Sequence, residues 1–200
     1  MLKQIDETER QARLYCTPAH IVKALLQRES FPGSICEPAA GRGDIVKVLR
    51  ECGYADVHAS DINDWGFQPC QIEDFLKTTR EFNCCITNPP FDLKLQFLEQ
   101  AKRLVRHKIA LLLPVQFEFT LGFIKNHESD RRFPWKALYS FPQSVRWLNA
   151  REAWGKILFG WFIFERGYCD EVRREKVLFR RNKSRPKSGA ADDAVVSNVF

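Results

Sequence analysis

No stretch of this 200-residue sequence stays apolar for the roughly 18 to 20 residues that crossing a bilayer requires. Its charged start, MLKQIDETERQARLY, contains no apolar core of a secretory signal, so a cytoplasmic chain without membrane contact is expected. Cysteines stand at 16, 36, 52, 70, 84, 85 and 169, yet none forms a C-x-x-C pair and the count of seven is odd. The usual zinc spacings and a disulfide framework are therefore missing, which leaves small buried thiols in a reducing compartment. The histidines at 20, 58, 107 and 127 have no H-x-x-x-H spacing, and G-x-S-x-G does not occur. A zinc hydrolase and a serine hydrolase both lack their signatures, and no metal is expected. Absent too are G-x-G-x-x-G and the Lys-Ser/Thr of a P-loop, so there is no evident cradle for a phosphate chain.

What is present is a globular composition. Apolar residues make up 44%, enough for a full core, and the length suits one domain, read here as residues 1–181. Residues 182–200, NKSRPKSGAADDAVVSNVF, are small, polar and patternless, and read as a mobile tail. The net charge is +6, and the segment from Arg166 to Lys187 carries nine Lys and Arg against three acids. That segment alone accounts for the whole excess. It fits a solvated face or a surface for a polyanion.

Periodicity alternates between strands and helices. CTPAHIVKALLQRE (16–29) predicts a helix, with Thr17 as a possible N-cap and Pro18 at the first helical position. A short strand in SICEPAAGRGD leads into a glycine-bearing loop, and IVKVLRECG predicts a helix that Gly53 ends. VHASD (57–61) is a second strand, and QIEDFL (71–76) predicts a turn into a further helix. CCITNPPF ends in a Pro-Pro that no central strand can contain, so a strand must stop at Asn88. A helix follows, then the apolar strand HKIALLLP (107–114), then two candidate antiparallel partners in KALYSFPQSVRWL and KILFGWFIFERG. Strands apolar on both faces, alternating with helices, predict an α/β fold with a mostly parallel sheet covered on both sides.

In such sheets ligands bind at the carboxyl ends of the strands. Gly41 and Gly43 allow backbone to approach a ligand there. Asp61 closes the next strand, 18 residues after Gly43, where a carboxylate can accept from ribose hydroxyls or simply serve a turn. Asp74 and Phe75 follow the third, where a carboxylate can accept from an exocyclic amine and a ring can lie on a purine. The alternative is a capping acid and a core ring. Together the three edges outline a nucleoside pocket.

The order YCTPAHIVKALL, EPAAGRGD, ASDIN, IEDFL, NPPF, IALLLP, FGWFIFERG resembles the S-adenosylmethionine-dependent amino-methyltransferases. Within them it is similar to the DNA adenine-N6 methyltransferases, in the compact form of phages and prophages, over residues 14–167. The resemblance implies a Rossmann-like class I methyltransferase fold: a mostly parallel seven-stranded sheet, helices on both faces and an antiparallel last strand. It implies S-adenosylmethionine as methyl donor, S-adenosylhomocysteine as product, DNA as partner with RNA possible, and a bacterial or phage-infected cytoplasm. By the resemblance Thr17 and the helical part within 1–30 cover the methionine end of the cofactor. Glu37, Pro38, Ala39 and Gly41 line the loop beneath it, Asp61 takes the ribose, and Ile62 lies on the adenine whose edge Asp74 and Phe75 read. Asn88, Pro89, Pro90 and Phe91 form the catalytic motif, with Asn88 also touching the cofactor.

An adenine N6 amine is a poor nucleophile because its lone pair is delocalised into the ring. The Asn88 side-chain oxygen and the Pro89 carbonyl can accept its two hydrogens, and Phe91 can stack on the base. The base must be flipped out or already single-stranded. No sizeable target-recognition domain is apparent. Residues 115–150 are the candidate substrate-contact region, with Phe91, Arg131, Arg132, Trp161, Arg173 and Arg174 as candidate nucleic-acid contacts. A short or relaxed recognition site is expected. An RNA adenine methyltransferase, a protein glutamine-N5 methyltransferase and a cofactor-binding accessory subunit are the competing readings. The recognition sequence and the oligomeric state are not legible.

Overall fold

The strand stop expected at Asn88 is present, and it organises the site end of the molecule. The computed structural model describes residues 15–120, 122–125, 131–142, 157–179 and 195–197. Strand β1 (Ile35–Glu37) is flanked by β2 (Val57–Asp61) on one side and β4 (Phe82–Thr87) on the other, both parallel to it. The two-residue β3 (Gln71–Ile72) extends the sheet beyond β2. On the far side come β5 (Val105–Pro114), then β7 (Phe159–Glu165), then β6 (Trp135–Phe141). Strand β7 runs antiparallel to both neighbours, as the apolar runs around 136–148 and 156–167 predicted. Chain order reverses direction at β1 and β4, so a crevice opens outside their carboxyl ends.

Both faces are covered. Helix α1 (Ala19–Leu26) and helix α2 (Asp44–Glu51) bury Ile21, Leu25, Val46 and Leu49 in one apolar cluster with Ala110, Leu112 and Trp161. Helix α3 (Lys94–Leu104) buries Phe97, Leu98 and Ala101 in the other, with Ile109, Leu111 and Leu113. Alternate residues of β5 thus face opposite layers, which is why Ile109 to Leu113 form an unbroken apolar run. Cys84 and Cys85 divide in the same way and are both fully buried. Gly53 (φ 92°) ends α2: its N–H bonds Arg50 O and the N–H of Tyr54 bonds Leu49 O. Among the described residues no helix is long and apolar enough to cross a membrane.

At the end of β5, β6 and β7 away from the crevice, Glu29 is buried beneath a cluster of cations. It accepts from Lys108 Nζ at 2.7 Å, Lys136 Nζ at 2.9 Å and the Tyr139 hydroxyl at 2.6 Å. Glu165 joins the same two lysines, at 3.1 and 2.6 Å. These bonds pin β5, β6 and β7 in one register.

Three expectations change. Among the described residues the sheet has nine strands, not seven: β8 (Arg173–Phe179) pairs parallel with β6, and β9 (Val195–Ser197) pairs with β8. The basic block hid β8, whose Val177 and Phe179 are buried while Arg173, Arg174 and Lys176 point outward. No helix follows β3, because the turn after Asp74 is closed off: Gln100 Nε2 takes the carbonyls of Phe75 and Thr78. Thr17 is not an N-cap, since α1 starts after Pro18 and the threonine hydroxyl is engaged elsewhere. Of the expected tail, only β9 lies among the described residues, as do parts of the 115–150 region.

Candidate functional site

The crevice at β1 and β4 is a cavity of about 770 Å³, within the roughly 300 to 1,000 Å³ usual for small-molecule sites. Thr17, Pro38, Ala39, Gly41, Asp61, Ile62, Asp74, Phe75 and Asn88 through Phe91 all line it. The spacing read from the sequence therefore does converge on one place. Among the described residues five acids reach the lining, Asp44, Asp61, Glu73, Asp74 and Asp92, against one cation, Arg42. A cavity of that charge suits a cationic ligand and repels a nucleotide's phosphates.

The glycine loop is built on positive φ at Gly41 (53°) and Gly43 (77°). A Cβ on Gly43 would lie 2.4 Å from the Phe67 ring, so no larger residue fits there. Asp61 Oδ2 accepts the Gly41 N–H at 2.9 Å and ties the loop to β2. Its Oδ1 accepts from Asn63 N at 2.9 Å and from Trp65 Nε1 at 3.0 Å. Three donors thus already load the carboxylate that sequence reasoning reserved for a ribose, leaving one lone pair on Oδ2. Ile62, beside it, is 63% exposed and forms a flat apolar wall.

Glu37 does not line the cavity; it lies fully buried beneath the loop, its Oε1 accepting from Ala39 N at 3.1 Å. Burial above all, with the Asp61 charge, pushes its carboxyl up to about 8, against the opposing pull of the Thr87 hydroxyl and the Ala39 N–H. Neither Glu37 Oε2 nor Thr87 Oγ1 makes a well-aligned hydrogen bond. Asp74 faces the cavity and also serves its turn, accepting from Leu76 N at 3.1 Å and pairing with Lys77 at 3.0 Å. Phe75 is 3% exposed and packs on Phe97 at 5.1 Å, so its ring belongs chiefly to the core.

Asn88 is the most constrained group. Its Nδ2 donates to the Tyr15 carbonyl at 3.3 Å and to Thr17 Oγ1 at 3.2 Å. A carbonyl can only accept, so the amide nitrogen must face Tyr15 and the amide oxygen must face away. That oxygen, Oδ1, is buried and has no hydrogen-bond partner among the described residues. The Pro90 carbonyl accepts from Leu93 N at 3.0 Å and the Phe91 carbonyl from Lys94 Nζ at 2.6 Å, which stiffens the turn. The Phe91 ring stacks on Tyr15 and touches Phe159.

The candidate nucleic-acid contacts fare differently. Trp161 is wholly buried on β7, its Nε1 donating to Ile21 O at 2.9 Å, so it is a core residue and cannot touch a substrate. The apolar run that placed it in a strand was the signal against that role. Arg131 and Arg132 are exposed on the turn before β6, outside the cavity. Arg173 lies over the Tyr139 ring and reaches Glu29 at 3.4 Å, while Arg174 lies over Trp135 and reaches Glu118 at 3.6 Å. Both remain at least half exposed. Sequence reasoning passed over Tyr15 and Trp65. The first sits two residues before Thr17 in a quoted motif, and the second lies in a segment without periodicity.

No protein-family model matches the sequence, and no curated protein does. Solved structures do. A Listeria monocytogenes protein provisionally described as a class I S-adenosylmethionine-dependent methyltransferase superposes with a TM-score of 0.59 at 18% identity, over 79% of this chain and 63% of its own. A provisionally described RNA methyltransferase of Pyrococcus horikoshii gives 0.62 at 14%, over 82% and 91%. The modification subunit of a provisionally assigned type I restriction enzyme of Vibrio vulnificus gives 0.59 at 14%, over 87% and 49%. The chain has the class I methyltransferase fold. It spans less than two thirds of the Listeria and Vibrio proteins and nearly all of the Pyrococcus one. Strands β8 and β9 lie beyond β6, at the far edge of the sheet from β3.

Proposed function

We propose that the protein transfers a methyl group from S-adenosylmethionine to the N6 amine of adenine in DNA. The observation that carries this reading is Asn88, a cavity-lining residue whose buried Oδ1 has no hydrogen-bond partner among the described residues while its amide nitrogen is fixed by Tyr15 and Thr17. An acceptor held in one orientation beside an aromatic ring suits an amine that must be held by its hydrogens while it offers its lone pair.

The cavity fits the methyl donor by charge and shape. Five lining acids favour the donor's sulfonium and ammonium groups. The one open lone pair of Asp61 Oδ2 is available to a ribose hydroxyl, Ile62 offers an apolar face to the adenine, and Asp74 can accept from its amine. When bound, the sulfonium supplies an electrophilic methyl group. The chain's own residues do the rest. Asn88 Oδ1 and the Pro89 carbonyl accept hydrogen bonds from the two hydrogens of the target N6 and turn its lone pair toward the donor; after transfer, with the bonding pair left on the donor's sulfur, one N6 proton passes to water. Phe91 supports the base, and its ring face favours the positive charge that grows on nitrogen. The closed proline turn holds these acceptors in place before the substrate arrives.

DNA is preferred as substrate on two grounds: the +6 net charge, concentrated where Arg173 and Arg174 lie, and the likeness to a restriction-modification subunit. The Pyrococcus likeness supports RNA as a second reading of the same site. In either case the short sequence between β5 and β7 leaves room for a brief or relaxed target. Domain limits of 1–181, with a tail beyond, belong to this proposal. Incubation with methyl-labelled S-adenosylmethionine and, separately, unmethylated DNA, RNA and cell protein tests it. Label on DNA supports the reading, and label confined to RNA or protein replaces it.

A further inference from the structure

Of the aromatic rings among the described residues, only Phe119 is mostly exposed, at 74%. It ends the 3-10 turn Val115–Phe119 that leaves β5. Strand β5 pairs with β4 up to Thr87 and Leu111 and continues to Pro114, so the turn emerges beside the Asn88–Phe91 turn. Lys94 joins the two: its Nζ donates to the Phe91 carbonyl at 2.6 Å and lies 5.8 Å from the centre of the Phe117 ring. The turn is closed on itself. Phe117 is buried against Phe123 and Phe162, and the Thr120 hydroxyl donates to Phe117 O at 2.8 Å while accepting from Phe123 N at 3.2 Å. Glu118 meets Arg174 at 3.6 Å, and that arginine's side chain stays 59% exposed. Phe117 thus anchors the turn and Phe119 is presented outward from it, with Lys94 and Arg174 against the same turn.

We infer that Phe119 is a stacking platform for an unpaired base of the substrate strand near the target nucleotide, with Lys94 and Arg174 supplying positive charge for the strand's phosphates. The inference rests on the reading of the protein as a nucleic-acid methyltransferase and adds to it a surface outside the cofactor cavity, whose lining does not include Phe119. That cavity is acidic and repels phosphates, so a strand has to be held from outside it, on a surface that carries cations. The one acid of the turn, Glu118, is paired with Arg174 and does not oppose an anionic strand. The two cations favour a nucleic-acid strand over an apolar protein surface as the occupant. A ring already held outward on a closed turn needs little ordering when a base stacks on it. Stacking on one aromatic side chain strengthens binding roughly five- to 150-fold and tolerates any base, because every base has a π-face. Such a platform adds affinity without reading sequence, which agrees with a short or relaxed target.

The test measures binding of a fluorescent single-stranded DNA oligonucleotide of mixed sequence to the full chain saturated with S-adenosylhomocysteine. Phe119→Ala should bind it about tenfold more weakly than wild type, and Phe119→Leu, apolar but not flat, equally so. Phe119→Trp should bind at least as tightly as wild type. Thermal unfolding and S-adenosylhomocysteine affinity should be unchanged in all three, because the ring lies outside both core and cavity. A stack is not an ion pair. Plots of log affinity against log salt should therefore be parallel for wild type and Phe119→Ala, and flatter by about 0.7 for Arg174→Gln. Wild-type affinity in Phe119→Leu, a slope unaltered in Arg174→Gln, or no strand binding by wild type overturns the platform. So does a loss of self-association in Phe119→Ala, seen by sedimentation, with strand affinity retained, which gives the ring to a second copy of the chain. Strand binding that depends on Phe119, without methyl transfer to any nucleic acid, overturns the catalytic reading and leaves the platform standing.

Discussion

The Asn88 carboxamide donates to the main-chain oxygen of Tyr15 at 3.3 Å, across 73 positions of sequence. That bond, with the one to Thr17, decides which way the amide faces, and it turns an ordinary asparagine into an oriented acceptor. Asn88→Ala should lower kcat by roughly 10²- to 10³-fold, the usual loss when one preorganised transition-state hydrogen bond is removed. Cofactor affinity, measured by calorimetry, should stay within about threefold, since this residue is assigned to the base. Retained turnover in a folded variant would contradict the assignment.

Asp61 holds the glycine loop, and the proposed cofactor pocket assigns its remaining lone pair to a ribose hydroxyl. Asp61→Ala should weaken S-adenosylmethionine binding by on the order of 1.5 to 3 kcal/mol, through loss of charge-assisted hydrogen bonds. Because Trp65 Nε1 rests on the same carboxylate, its fluorescence should change as cofactor binds, and the change should vanish in Trp65→Phe. An unchanged affinity in Asp61→Ala removes the ribose assignment.

Much of this was legible in the sequence, for a physical reason. The Pro-Pro after CCIT could only end a strand, and Gly41, Asp61 and Asp74 stand at strand ends that a parallel sheet brings to one edge. Local pattern fixed those positions. It did not fix the loading of Asp61 by Trp65, because nothing local ties residues 61 and 65 to a particular loop path. Nor did it reveal the bond from Asn88 to Tyr15, which exists only once α1 has packed on the sheet. Strand β8 was hidden because charge dominated the reading of RREKVLF, although its alternation of arginine, lysine, valine and phenylalanine is that of a half-buried strand. Trp161 was named as a nucleic-acid contact although the surrounding FGWFIF run is apolar on both faces, the mark of a buried strand.

The buried carboxyl of Glu37 makes stability depend on pH with an unusual sign. A carboxyl raised from 4.5 to about 8 on folding holds its proton more tightly in the native state. Stability is therefore greatest below about 4.5 as far as this group is concerned, and declines as pH rises to about 8. At roughly 1.4 kcal/mol per pH unit the loss is at most about 5 kcal/mol. Thermal unfolding of Glu37→Gln should depend on pH less than that of wild type between about 5 and 8. Parallel curves would mean that Glu37 is ionised throughout.

Glu29 is shared by Lys108, Lys136 and Tyr139 in the buried cluster beneath β5, β6 and β7. Glu29→Gln removes the charge but little volume and leaves Lys108 almost fully buried beside one remaining carboxylate, Glu165. Urea unfolding should show a loss of about 3 to 5 kcal/mol, as expected when one partner of a buried ion pair is removed. A change below about 1 kcal/mol would mean that the cluster is more hydrated than its burial indicates.

The central claim is that Asn88 Oδ1 accepts a hydrogen from an adenine N6 amine during methyl transfer. Its most direct test digests a long, unmethylated DNA to nucleosides after incubation with S-adenosylmethionine and enzyme, and quantifies N6-methyladenine by mass spectrometry. Wild type should yield N6-methyladenine, at short or loosely obeyed sequence contexts when the sites are mapped, and Asn88→Ala should yield none above background. Methylation of cytosine alone, or equal N6-methyladenine from both proteins, would contradict it.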